Sequence, residues 1–254
     1  MNEILTVSLV QVDSCHEEIS ANLAHIEELI SGDGKEVSDL YLLPELFNTG
    51  YRKAFITRPE AMNGYTHRWM KQMAARMQAV IAGSITISEK GQTFNRLLFV
   101  RPDGSTDSYD KVNVFAYSGE DKIYSPGNRL EVRFEWLGWK IKPIICFDLR
   151  FPEAARNHAP YYDLMICPAH WPEARIFAWD HLLPARAIEN QCYVASVNRI
   201  GQEGDVSYCG HSAALDFMGK PLHSEALGKE GVYRFQLEKT KLIEFRKSFP
   251  FLKS

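Results

Sequence analysis

Cys146 closes the apolar run Ile141-Lys142-Pro143-Ile144-Ile145 and is followed by Phe147-Asp148-Leu149-Arg150-Phe151-Pro152-Glu153. The pattern predicts a strand, a polar turn and a helix-compatible segment, with a thiol at the bend. A side chain at such a bend is pushed out of the sheet towards a substrate, as the serine of a G-x-S-x-G elbow is. Deprotonated, the thiol would be a nucleophile. Taken alone, the segment reads more readily as one with a small buried hydrophobe, because free cysteines are among the most buried residues. Glu45 directly follows the apolar stretch Tyr41-Leu42-Leu43-Pro44. Partial desolvation there would make its carboxylate a better general base near neutral pH. In isolation it reads rather as a strand-end glutamate facing water. Lys111, in Tyr109-Asp110-Lys111-Val112, could bring positive charge to a site formed by strand ends, or be an ordinary hairpin lysine. Glu120, in Ser118-Gly119-Glu120-Asp121, reads by itself as a solvated loop residue.

The elements that must position these groups alternate along the chain. Strands are predicted at 4–12, 39–43, 80–87 and 96–100, with 107–114 as the hairpin partner of the last. A second hairpin joins 130–136 to 140–146 through Gly138. Further strands fall at 163–167, 192–197, 212–217 and 232–237. Helical spacing covers 22–30, 66–77 (Thr66 as a candidate cap), 152–157, 176–189 and 240–246. No repeat, low-complexity stretch or linker marks a boundary. The expectation is one α/β domain over 1–254 with more than one strand layer.

Composition narrows the class. The chain has 254 residues and a net charge of −3, without a Lys/Arg-rich block, which argues against a nucleic-acid or polyanion binder. No apolar run approaches the length of a membrane span. Five cysteines at irregular spacing, with no C-x-x-C pair, read neither as a disulfide framework nor as a zinc site. Together with an N-terminus that has no leader-like stretch, this predicts a cytoplasmic location. Cys15, Cys167, Cys192 and Cys209 read as core or surface thiols.

Taken together, the three strand-end segments Tyr41-Leu42-Leu43-Pro44-Glu45, Tyr109-Asp110-Lys111 and Ile144-Ile145-Cys146-Phe147-Asp148-Leu149-Arg150-Phe151-Pro152-Glu153 resemble, in order and flank, the signature segments of the nitrilase superfamily of carbon–nitrogen hydrolases. Asn95-Arg96, Ser125-Pro126-Gly127, 185–195 and Gly210-His211-Ser212 agree with it. Ile81-Ala82-Gly83-Ser84 and Trp171-Pro172 are most similar to the small omega-amidase branch. The resemblance spans about 4–237. It implies a four-layer α-β-β-α sandwich, a homodimer, and a Glu45–Lys111–Cys146 triad with Glu120 as a second glutamate that positions Lys111. It implies no metal or organic cofactor. Where the branch often has histidine two residues after the lysine, this chain has Asn113.

The resemblance further implies that Cys146, activated by Glu45, forms a thioester with a small-molecule amide. The oxyanion would be held by Lys111 and the backbone N–H of Phe147. Omega-amides carry a carboxylate, for which Arg175 and Arg150 are candidates because a guanidinium binds it bidentately. Arg150 could equally form an ion pair with Asp148 or Glu153, the reading preferred at this stage. Trp171 and Asn113 are further candidates for the substrate site. His170 either lines the pocket or is a packed loop histidine. Other readings stay open: the same triad on a nitrile, a carbamoyl amide or a glutathione-like amide, and a non-catalytic α/β protein.

Overall fold

The computed structural model describes residues 3–14, 18–32, 37–51, 59–223 and 227–253; Cys15 lies outside them. One sheet is built from β1 (Ile4–Gln11), β2 (Leu40–Leu42), β3 (Val80–Glu89), β4 (Gln92–Val100) and β5 (Thr106–Asp110). A second comprises β6 (Phe134–Trp136), β7 (Trp139–Pro143), β8 (Leu164–Ala169) and β9 (Tyr193–Asn198). β10 (Ile200–Glu203) and β11 (Val206–Cys209) form a separate hairpin. β12 (Ala213–Leu215) joins the second sheet at β9, and β13 (Gly231–Glu238) joins the first at β1. The helices are α1 (Ile19–Gly32), α2 (Tyr65–Met77), α3 (Pro152–Ala155), α4 (Ile176–Asn190) and α5 (Lys239–Ser248).

Side-chain alternation along the strands creates the layers. In the first sheet Leu40, Leu42, Val80, Ala82, Leu97 and Phe99 face the second sheet and share a core with Ile141, Leu164 and Ile166. The intervening Tyr41, Leu43, Ile81, Leu98 and Val100 face the other way, onto Leu23, Ile26 and Ile30 of α1 and Met70, Met73 and Ala74 of α2. Trp179, Leu183 and Ala187 of α4 cover the outer side of the second sheet. The result is the expected α-β-β-α sandwich.

Strand direction decides where the site lies. β1, β2 and β3 are parallel, and two successive antiparallel pairings bring β5 back to the direction of β3. β7, β8 and β9 are likewise parallel. The carboxyl ends of β2 and β5 therefore open on one side of the first sheet, as those of β7, β8 and β9 do on the second.

Several local expectations are corrected. The predicted strand 107–114 ends at Asp110, and that of 130–136 starts only at Phe134, because ladder partners stop there. Cys146 is not the last residue of its strand; β7 stops at Pro143 and Cys146 opens a 3-10 turn, Cys146–Arg150. Thr66 lies inside α2, whose cap is Gly64. Its amide and hydroxyl both donate to Glu60, which serves as the capping acceptor instead. The β10–β11 hairpin is absent from the sequence-based reading. Its signal was the two-residue loop Gly204-Asp205, with Gly204 at φ +60°, between two short extended runs.

Candidate active site

Glu45 follows β2 in a turn pressed against β3. Gly83 makes this possible: a Cβ there would come within 2.8 Å of the Phe47 ring and 2.9 Å of Leu43 Cβ. The neighbouring Ser84 hydroxyl accepts from Leu46 N at 3.0 Å and fixes the turn. Lys111 lies one residue past β5, its amide donating to Asn95 O at 3.0 Å. Behind it, Gly127 N donates to Lys111 O at 2.8 Å, and any side chain at Gly127 would strike the Asp110 backbone.

Cys146 occupies the left-handed backbone region, φ +44°. For a residue with a Cβ this conformation is strained and persists only where the surroundings impose it. Here the Asp148 carboxylate imposes it. It accepts from Ile145 N at 3.0 Å and from Tyr109 OH at 2.8 Å, and its other oxygen accepts from Asn113 N at 2.8 Å and Asn113 Nδ2 at 2.9 Å. The Arg186 guanidinium of α4 donates to Leu149 O at 2.8 and 3.1 Å, tying the far end of the turn.

These ends meet around one ammonium. Lys111 Nζ donates to Glu45 Oε1 at 2.8 Å and to Glu120 Oε1 at 2.7 Å, all three side chains being about 1% exposed. Asn95 Nδ2 donates to the same Glu45 oxygen at 2.7 Å, and His170 N donates to the other at 3.0 Å. Glu120 also accepts from Tyr51 OH and from Phe115 N. The Cys146 thiol hydrogen-bonds His170 O, with Sγ 3.8 Å from the oxygen. Asn198, at the end of β9, holds the His170–Trp171 segment: its Oδ1 accepts from Trp171 N at 2.7 Å and its Nδ2 donates to Trp171 O at 2.9 Å.

The electrostatics follow from burial. Burial favours the neutral amine of Lys111, but the Glu45 and Glu120 carboxylates outweigh it and hold the group well above the usual lysine range, so it stays an ammonium. Burial and the adjacent Glu45 carboxylate push the Cys146 thiol well above its ordinary value, with Lys111 opposing. The resting site is therefore a neutral thiol facing a carboxylate, not a preformed thiolate.

A cavity of about 270 Å³ opens over Cys146. Its size suits a small substrate rather than a drug-sized one. Of the residues singled out from sequence, Glu45, Lys111, Glu120, Cys146, Phe147, Arg150, His170, Trp171 and Arg175 line it. Asn113 does not; its side chain is committed to Asp148, so it props the Cys146 turn from behind instead of facing a substrate. The expected ion pair of Arg150 is also absent. Asp148 is fully buried among its four donors, and neither Arg150 nor Arg175 makes an ion pair among the described residues. Each guanidinium lies instead over an aromatic ring, Arg150 over Trp171 at 4.9 Å and Arg175 over Phe115 at 5.3 Å. Tyr51, Phe115, Ser118, Pro172, Val206 and Tyr208 also line the cavity; the sequence-based reading assigned none of them to a site.

The chain matches the family model for carbon–nitrogen hydrolases over residues 6–247. It is 35% identical to the omega-amidase YafV of Escherichia coli strain K12, covering 97% of this chain and 94% of that one. It is 32% identical to a 2-oxoglutaramate amidase of Bacillus subtilis, covering 96% and 95%. Among solved structures, XC1258 of Xanthomonas campestris, a CN-hydrolase superfamily protein with an arsenic adduct in its active site, superposes with a TM-score of 0.93. That protein shares 38% identity, with 98% of this chain and 96% of that chain covered.

Proposed function

The chain belongs to the carbon–nitrogen hydrolase family, and from that premise we propose that it is an omega-amidase, releasing ammonia from a small amide that carries a carboxylate at its other end. One observation carries the substrate class: two guanidiniums, Arg150 and Arg175, line the same cavity as Cys146 and make no ion pair among the described residues. A half-buried guanidinium that meets only a ring face is still short of an anion, and a substrate carboxylate, which it binds bidentately, supplies one. The relatives named for omega-amidase and 2-oxoglutaramate amidase activity support the same reading.

In the proposed mechanism Glu45 takes the proton of the Cys146 thiol as the sulfur attacks the amide carbon, a step for which a positioned base is worth roughly 10²–10⁴ in rate. The oxyanion forms against the Lys111 ammonium. The second donor is the N–H of Phe147, which directly follows Cys146 in the 3-10 turn and lines the cavity. Glu45 returns its proton to the departing nitrogen, the C–N bond breaks, and ammonia leaves a thioester. Water then attacks that carbonyl, giving one proton to Glu45. The C–S bond breaks, Glu45 passes that proton to the departing sulfur and restores the thiol, and the acid product leaves as its carboxylate, its remaining proton going to the released ammonia. Lys111 keeps its charge throughout because Glu120 remains beside it. Every step uses groups of this chain and water.

The proposal includes one domain for the whole chain and a cytoplasmic location, which the free thiols of Cys167, Cys192 and Cys209 suit. It also includes a homodimer, for which Phe177 and Ile188 of α4, 73% and 52% exposed, offer apolar surface. Among the described residues no helix is long and apolar enough to cross a membrane. The test is ammonia release from 2-oxoglutaramate, 2-oxosuccinamate, glutamine, asparagine, an aliphatic amide, a carbamoyl amino acid and a nitrile, with wild type and Cys146→Ala. Release from the 2-oxo acid amides that disappears in Cys146→Ala is the expected result. Release only from another compound overturns the substrate assignment, and equal activity in Cys146→Ala overturns the mechanism.

A further inference from the structure

His170 does more in this site than its backbone contacts require. Its main chain is already used, the amide on Glu45 and the carbonyl on the Cys146 thiol. Its side chain is 5% exposed and borders the cavity between Tyr51 and Tyr208, with ring centroids 6.2 and 5.8 Å away. Neither ring nitrogen has a hydrogen-bond partner among the described residues. Buried polar atoms are nearly always paired, so two buried, unpaired nitrogens in a residue that borders the cavity call for a partner from what binds there.

We propose that the His170 imidazole is a specificity-determining group that hydrogen-bonds an uncharged polar substituent of the substrate, the 2-oxo group of a 2-oxo acid amide. The inference rests on the omega-amidase reading. In that reading the two ends of the substrate are already assigned, the amide to Cys146 and Lys111 and the carboxylate to Arg150 and Arg175. The polar group left over is the one between them. Burial, with Arg199 and Lys111 nearby, keeps the ring well below the ordinary histidine range, so it meets the substrate as a neutral imidazole. A neutral ring offers one N–H to a carbonyl oxygen and does not compete with the guanidiniums for the carboxylate. The two tyrosine rings flank it, each tilted by 55°, and leave it no partner of their own.

The test compares kcat/KM for 2-oxoglutaramate and for glutaramate, the same chain without the oxo group, in wild type, His170→Phe and His170→Asn. Wild type should favour the oxo substrate. In His170→Phe the ratio of the two values should fall about 10–100-fold, whatever loss the substitution imposes on both. His170→Asn, which keeps an N–H donor of shorter reach, should retain part of the ratio. A ratio unchanged in both variants, even with activity lowered, would overturn the proposal and leave His170 as packing for the Glu45 loop. Wild-type inactivity on both amides would instead overturn the omega-amidase reading, and this inference with it. The two failures are therefore told apart by the wild-type baseline.

Discussion

Replacing Lys111 with methionine tests the electrostatic core of the site most directly. Methionine fills much of the same volume, so the change is chiefly one of charge. The ammonium lies 2.8 Å from Glu45 and 2.7 Å from Glu120, with all three groups out of water. Without it, two carboxylates face each other in a low-dielectric pocket with no counter-charge. Breaking a buried ion pair from one side typically costs about 3–5 kcal/mol. For a chain of this size that corresponds to a melting point roughly 6–20 °C lower. Adding Glu120→Gln to Lys111→Met should recover part of the lost stability by removing one of the two charges. Activity should not follow, because the oxyanion has still lost a donor worth about 10²–10³ in kcat. Calorimetry and ammonia release at pH 7.5 provide the readings. A Lys111→Met protein that melts like wild type, or a double variant that regains turnover, would refute the reasoning.

Other expectations follow from single contacts. Arg175→Ala should raise KM for a carboxylate-bearing amide by about 10–100-fold with kcat largely retained, since a charged hydrogen bond is lost from binding and not from the reacting atoms. The double variant Arg150→Ala/Arg175→Ala should lose more, and steady-state kinetics against an uncharged aliphatic amide should show no matching loss. His67 offers a separate test of acid stability. Its Nδ1 accepts from Asn63 N at 3.1 Å, and its Nε2 lies 3.0 Å from the Thr106 hydroxyl. Burial, and then Lys71, bring its pKa down from 6.5 to about 4. The unfolded chain therefore binds this proton near pH 6.5 and the folded one only near pH 4. The stability tied to the neutral ring is complete above pH 6.5 and lost as pH falls to 4, at most about 3 kcal/mol. Urea unfolding across that range should show wild type losing more than His67→Gln, and equal slopes would contradict the assignment.

The elements of this chain are legible because they are local. Short apolar runs mark β1, β3 and β4, and helical spacing of apolar residues marks α1, α2 and α4, since each pattern reflects how one element meets a core. The flanks of Glu45, Lys111 and Cys146 are local too. Glu45 and Cys146 end apolar runs, Lys111 follows a predicted strand, and together they carried a family resemblance that the match over 6–247 supports. Even here the boundaries slipped. Cys146 lies beyond β7, because a ladder ends where its partner does and not where apolar residues stop.

Tertiary structure decided who faces whom. Glu45 and Lys111 are 66 residues apart, Glu45 and the His170 amide 125. Nothing near Asn113 says that it will hold Asp148, or near Asp148 that it will be occupied by Tyr109 and Asn113 and not by Arg150. Tyr51, Phe115 and Tyr208 look like any aromatic residues in their own segments and become cavity wall only when three segments distant in sequence, one of them β11, come together at the site. The residue types and the chemistry they permit were in the sequence, because they depend on functional groups and their immediate neighbours. The partner of each buried polar group was not, because in a low-dielectric interior that is set by distances between segments that only the packed sheets bring together.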